Sequence, residues 1–183
     1  KLMAVRAEDA EDPELRAQLV ARFQREAKLA GTVETRHIVR VYDAGLDDAT
    51  GAPYMVMELL EGEDLNARIR REGPLRPQLA LRIVAQACLG LMKAHEAGVI
   101  HRDIKPSNVF LSRDEFGMVV VKILDFGIAK GTDLERIDAA DPRTLTQTGA
   151  MLGSPHYMSP EQVISSKTLD HRTDIWSMGI LLF

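Results

Sequence analysis

The sequence predicts an α+β domain, and two observations carry that expectation. Apolar residues recur at helical spacing before Gly31 and again after Pro77. Between and beyond these stretches stand short β-branched or apolar runs bounded by turn residues. The 183 residues suffice for one domain with a sizeable core. A hydrophobic fraction of 45% beside 27% charged residues is that of an ordinary globular chain. The net charge of −4 excludes a general nucleic-acid surface. No apolar run approaches the roughly 20 residues that span a bilayer.

Asp12-Pro13-Glu14 reads as a helix start: Asp12 caps, Pro13 takes the first helical position, and Glu14 puts an acid in the first turn. Gly31 is the expected stop. Leu15, Leu19, Phe23, Ala27 and Ala30 form its apolar stripe, and Glu26 lies on that stripe. A carboxylate turned inward needs a cation. Residues 37–42 and 53–58 read as strands joined by the polar turn Asp47-Asp48-Ala49-Thr50-Gly51.

Pro77 opens a long helix running to about Glu96, and Gly98 ends it. Leu79, Ile83, Val84, Ala87 and Leu91 make most of its faces apolar, which predicts a central, buried helix. Cys88, the lone cysteine, rides in this run, so a buried thiol is expected and no intrachain disulfide. That usage suits a reducing compartment and predicts a cytoplasmic domain. His95 and His101 are six apart with no further ligand nearby; they are not read as a metal pair, and His95 reads as a helix-end residue. Val99-Ile100, Val109-Phe110-Leu111 and residues 119–124 have strand propensity. Residues 131–159 form a long polar stretch, and a loop of that length is usually functional. A last apolar helix begins at Asp174 and runs to Phe183.

The chemistry concentrates in His101-Arg102-Asp103-Ile104-Lys105-Pro106-Ser107-Asn108 and in Asp125-Phe126-Gly127. One carboxylate stands five positions before an amide, and a second directly follows a β-branched run. A base and two metal ligands on short loops beside strands are what phosphoryl transfer from a metal-bound nucleotide requires. On these residues the chain resembles the catalytic domain of a eukaryotic-like (bacterial Hanks-type) serine/threonine protein kinase. The resemblance covers nearly the whole chain and implies one bilobal domain. Residues 1–57 would form a partial small β lobe with one helix, 58–64 the hinge region, and 65–183 an incomplete, mostly helical large lobe. The chain opens at Lys1 and stops inside Gly179-Ile180-Leu181-Leu182-Phe183. Both ends read as cut, so a piece of a larger protein is expected, inactive or nearly so by itself. Any membrane anchor would belong to the segments outside it.

The resemblance also implies roles. Asp103 would accept the substrate hydroxyl proton, and Lys105 would neutralise the transferring group and favour Ser or Thr as acceptor. Asn108 and Asp125 would hold magnesium, with manganese as a substitute. Lys1 would grip the ATP phosphates with Glu26 as its partner. Met57 would be the gatekeeper, the backbone of Glu58 and Leu60 would meet adenine, and Phe110 would line the ATP site. Thr146 and Thr148 would be phosphorylated in an activation segment closing on Ser159-Pro160-Glu161, with Arg102 and Lys130 pairing the phosphate. His101, Phe126, Gly127, Glu161 and Asp174 would be structural: Val41, His101 and Phe126 in an internal apolar column, Asp174 on the backbone of the catalytic loop, and Glu161 paired with an arginine beyond Phe183. The activity so implied is transfer of the γ-phosphoryl group of Mg-ATP to protein Ser/Thr hydroxyls, with activation-loop autophosphorylation in a kinase–kinase dimer. The alternative is a pseudokinase, a nucleotide-binding or scaffold module; intact Asp103, Asn108 and Asp125 weigh against it. A small-molecule kinase is disfavoured by the activation segment.

Overall fold

The computed structural model describes residues 20–21, 31–47, 49–125, 155–164 and 169–183. Strand β1 (Val41–Leu46) pairs antiparallel with β2 (Pro53–Met57). Their turn is closed by the Asp47 carboxylate, which accepts the Thr50 N–H at 2.8 Å and the Thr50 hydroxyl at 2.7 Å. A short strand β3 (Gly62–Asp64) runs straight into helix α1 (Leu65–Glu72). Helix α2 (Pro77–Glu96) follows, then a 3₁₀ turn at Pro106–Asn108 and strands β4 (Val109–Arg113) and β5 (Val119–Ile123). The second sheet has the order β3-β4-β5, all antiparallel. A 3₁₀ turn at Pro155–Tyr157 precedes the short helix α3 (Pro160–Val163), and α4 (Arg172–Leu182) ends the chain. Among the described residues no helix is long and apolar enough to cross a membrane.

The strand expected over 37–42 is displaced. Residues 37–39 leave the hairpin and bond β5 instead: Val39 N–H donates to the Ile123 carbonyl and Ile123 N–H to the His37 carbonyl, both at 2.9 Å. His37, Ile38 and Val39 are all buried. Three consecutive buried residues suit an interior position rather than a half-exposed hairpin, whose faces alternate. The hairpin therefore starts at Val41, with an irregular register between Val41 and Asp43.

Helix α2 begins and ends as its punctuation predicts. Pro77 occupies the first turn. At the other end Gly98 takes a φ of 74°; its N–H donates to His95 O at 3.0 Å and that of Val99 to Ala94 O at 2.9 Å. Val99 is thus still closing the helix, which is why 99–100 form no strand. The helix is central to the core as expected, but its burial is one-sided rather than spread over most faces. Ile83, Val84, Ala87, Leu91 and Ala94 pack with Ile38, Val109, Val121, Ile123 and Met178, while Leu81, Leu89 and Met92 stay exposed. Cys88 is half-buried, and burial pushes its thiol pKa up.

Gly90 sits where α2 meets the 37–39 segment. A Cβ there would lie 2.7 Å from the His37 carbonyl oxygen, which is already held by Ile123. Alanine gains roughly 1 kcal/mol of helix propensity, but overpacking costs about 1–3 kcal/mol. With the carbonyl fixed, the clash should win. Gly90→Ala is expected to lower unfolding free energy by about 1–2 kcal/mol in a urea titration. An unchanged or higher midpoint would mean that the two segments separate freely.

Candidate active site

The 101–108 loop is built around a backbone conformation that its sequence disfavours. Arg102 has a φ of 64°, in the left-handed region, where a side chain costs on the order of 1 kcal/mol or more. Asp174, 1% exposed near the start of α4, holds it. One carboxylate oxygen accepts the Arg102 N–H at 2.8 Å. The other accepts the His101 N–H at 2.9 Å and a ring N–H of His95 at 2.8 Å. Burial alone would raise the Asp174 pKa, but these donors outweigh it and hold the carboxyl below its ordinary value. Asp174 thus bonds the backbone of the 101–108 loop at two successive N–H groups. His95 does lie in the last turn of α2, and its ring also reaches across to α4.

His101 is wholly buried, and both ring nitrogens are engaged. Nδ1 faces the Asp103 N–H at 3.2 Å and must accept; Nε2 faces the Leu124 carbonyl at 2.8 Å and must donate. That pair of bonds demands the neutral ring, and burial pushes its pKa down despite the neighbouring carboxylates. His101 is therefore a polar tie between the loop and the end of β5, more than a member of an apolar column. From the other side, Leu124 N–H donates to the Asn108 carbonyl at 2.8 Å. Both backbone groups of Leu124 are thus bonded to the loop, which brings Asp125 beside Asn108. Asp125 itself has a φ of 47°.

Asp103, Lys105 and Asn108 converge. Asp103 Oδ2 takes the Lys105 ammonium at 2.9 Å and the Asn108 amide N–H at 3.2 Å, and the same amide donates to the Asp103 carbonyl at 2.8 Å. The NH₂ of Asn108 is committed to Asp103, which turns its amide oxygen the other way, as a hard ligand for a metal should be. Among the described residues no cluster of three or more His, Cys, Asp or Glu could hold a metal by itself. One amide and one carboxylate instead fit an ion that completes its shell with phosphate and water.

Residues 57–60 carry a feature beyond the backbone roles expected of them. Met57 closes β2 and packs on the core. The Glu58 N–H donates to Arg40 O at 2.9 Å, and its carboxylate accepts the Arg40 N–H at 2.8 Å and the Lys122 ammonium at 2.6 Å. Lys122 lies on β5 three residues before Asp125. Leu60 is half-buried; Phe110, also half-buried, faces Lys122 across β4–β5 and Asp64 across β3–β4.

On the other side of the loop, Ser159 and Gln162 cap α3 reciprocally. Gln162 also donates to the Arg102 carbonyl at 2.8 Å. The Ser159 hydroxyl meets that of Thr173 at 2.6 Å, which joins α3 to α4. Glu161 lines an open cavity of ≈ 560 Å³ with Arg172, Ile175, Trp176, Gly179 and Ile180. The Arg102 Nε is buried without a hydrogen-bond partner among the described residues. Lys1, Glu26, Phe126, Gly127, Lys130, Thr146 and Thr148 lie outside the described residues.

A loop whose left-handed Arg102 is pinned by a buried aspartate thus gathers a carboxylate, a lysine and an amide beside a strand end. The profile of the protein kinase domain family matches residues 1–183, and the chain belongs to that family. It is 44% identical over 164 residues to serine/threonine-protein kinase pkn3 of Myxococcus xanthus, covering 90% of this chain and 29% of that protein. It is 39% identical over 181 residues to serine/threonine-protein kinase PknB of Mycobacterium leprae, covering 98% and 26%. The chain thus spans less than a third of the length of these curated relatives. The crystal structure of the Mycobacterium tuberculosis PknI kinase domain superposes with a TM-score of 0.70 at 28% identity, covering 99% of this chain and 60% of that one. Rad53 in complex with AMP-PNP gives 0.66 at 27% identity, covering 88% and 36%. The fold is the α+β, protein-kinase-like fold.

Proposed function

We propose that this domain transfers the γ-phosphoryl group of ATP to serine or threonine hydroxyls of proteins. The observation that carries the reading is the Asp103–Lys105–Asn108 cluster, bonded through Leu124 to the strand end that bears Asp125. Asp103 orients the acceptor hydroxyl and takes its proton as the new O–P bond forms and the β–γ bridging oxygen leaves with ADP. Lys105 supplies positive charge beside that carboxylate. Asn108 and Asp125 would hold magnesium, or manganese in its place, which supplies charge neutralisation on the phosphates when bound. Residues 58–64 would serve as the hinge between lobes 1–57 and 65–183, with Glu58 and Leu60 at adenine. The names of the relatives and the nucleotide analogue in the Rad53 complex support this reading.

The Arg102 Nε, buried without a hydrogen-bond partner among the described residues, supports a second part of it. A phosphate on Thr146 or Thr148 would give the Arg102 guanidinium an anion, with charge-assisted hydrogen bonds to order the segment. Two copies would supply enzyme and substrate for this autophosphorylation.

The test incubates the full-length gene product with ATP and magnesium and maps phosphate by mass spectrometry, with Asp125→Ala as control. New phosphate on Thr146 or Thr148, absent in the control, is the expected result. A folded protein that modifies neither itself nor a generic acceptor would be a pseudokinase, and ATP affinity would then separate a nucleotide switch from a scaffold.

A further inference from the structure

We infer that Gln162 is a positioning residue for Asp103, a strut through which helix α3 sets the peptide leading into the base. The inference rests on the phosphotransfer reading above. Gln162 is 5% exposed, and its amide works at both ends. Oε1 accepts the Ser159 N–H at 3.1 Å, while Nε2 donates to the Arg102 carbonyl at 2.8 Å, across 60 positions of chain.

That carbonyl belongs to the Arg102–Asp103 peptide. The N–H of the same peptide is taken by His101 Nδ1. The preceding peptide of Arg102 is held through its N–H by Asp174. A left-handed, non-glycine residue relaxes unless its neighbouring peptides are fixed, and here three bonds fix them: one from the His101 ring, one from α3 and one from α4. The Ser159–Thr173 hydroxyl contact between these helices is a separate tie, which neither bond to Arg102 uses. Loss of the Gln162 bond would leave the Arg102–Asp103 peptide held by the His101 ring alone, at the longer 3.2 Å bond, let it tilt about that bond, and shift Asp103 relative to Lys105 and Asn108. Because α3 follows directly on residues 131–159, its seating would be read at the base. The capping role alone does not need the amide NH₂: glutamate serves equally at that position of a helix start. The NH₂ of glutamine is what reaches Arg102.

The experiment separates the two ends of the side chain, in the full-length gene product. Gln162→Glu keeps the acceptor for Ser159 and removes the donor to Arg102. Ser159→Ala removes the capping hydroxyl and leaves the donor. Turnover on a generic protein acceptor is counted per ADP-binding site, so that unfolded protein does not register as slow enzyme. Gln162→Glu should lower kcat per site about 10–100-fold, as expected for a misplaced base, with the KM for ATP within about twofold. Its melting temperature should fall too, since a buried carboxylate would face the Arg102 carbonyl, which is why turnover is counted per site. Ser159→Ala should lower the melting temperature while kcat per site stays within about threefold. A Gln162→Glu protein with wild-type kcat per site overturns the inference, as does a loss accounted for wholly by missing binding sites. If Gln162→Glu yields no sites, Gln162→Met is judged by the same criterion. A wild type without turnover would instead sink the phosphotransfer reading itself.

Discussion

Asp103→Asn is expected to lower kcat by on the order of 10²–10⁴-fold, the usual contribution of a general base, with nucleotide affinity changed by less than about twofold. Asparagine keeps the size of the side chain and an oxygen that can still face Lys105 and Asn108, so the loop should retain its shape. The amide cannot take the hydroxyl proton, and its neutrality loosens the hold on the Lys105 ammonium. Both effects fall on the chemical step. Nucleotide binding should survive, because the proposed adenine contacts come from the backbone of residues 58–60 and the metal contacts from Asn108 and Asp125. Calorimetric titration with ADP and magnesium, alongside turnover on a protein acceptor, checks the split. Undiminished turnover would remove Asp103 from the role of base, and a large loss of affinity would make its role one of nucleotide binding.

The parts of the site that were legible in the sequence are local. Asp103, Lys105 and Asn108 fall within six residues, so one turn of backbone suffices to bring them together, and the 3₁₀ turn at Pro106–Asn108 does so. Helix α2 was legible because Pro77, Gly98 and an apolar stripe agree. What stayed hidden is long-range or lacks periodicity. The His95–Asp174 bond spans 79 positions and the Gln162–Arg102 bond 60, and neither leaves a spacing to read. The Glu58–Lys122 pair, 64 apart, is hidden for the same reason. Two signals were present and unused. Ser159 and Gln162 spell a capping box, and Asp64 with Gly73 brackets α1, whose N-cap bond from Ala67 N–H to Asp64 measures 2.9 Å. The displaced strand at 37–42 shows the limit of pattern alone: an apolar run announces burial without saying which neighbour, β2 or β5, will bury it.

Asp174→Ala should be the most damaging single change for stability. It strands the buried N–H groups of His101 and Arg102 and removes the acceptor of the His95 ring. Each buried donor left unpaired costs about 1–3 kcal/mol, so a total of roughly 3 kcal/mol or more is expected against a typical stability of about 5–15 kcal/mol. The variant should also shift the acid side of the stability curve. The folded pKa of Asp174 lies below its ordinary 3.8. Its contribution is therefore complete above that value and is lost as pH falls through the folded one. His101 acts in the same direction from a higher window. Burial pushes its pKa below 6.5, so the unfolded chain binds the proton first, and stability declines as pH falls from about that value toward the folded one. The Asp174 charge favours the imidazolium; its removal should depress the His101 pKa further and extend that decline to lower pH. Urea unfolding at pH 7, 5.5, 4 and 3 measures both effects. A loss at pH 7 below about 1 kcal/mol would mean that the loop backbone finds other acceptors, and Arg102 would then owe its left-handed conformation to contacts other than Asp174.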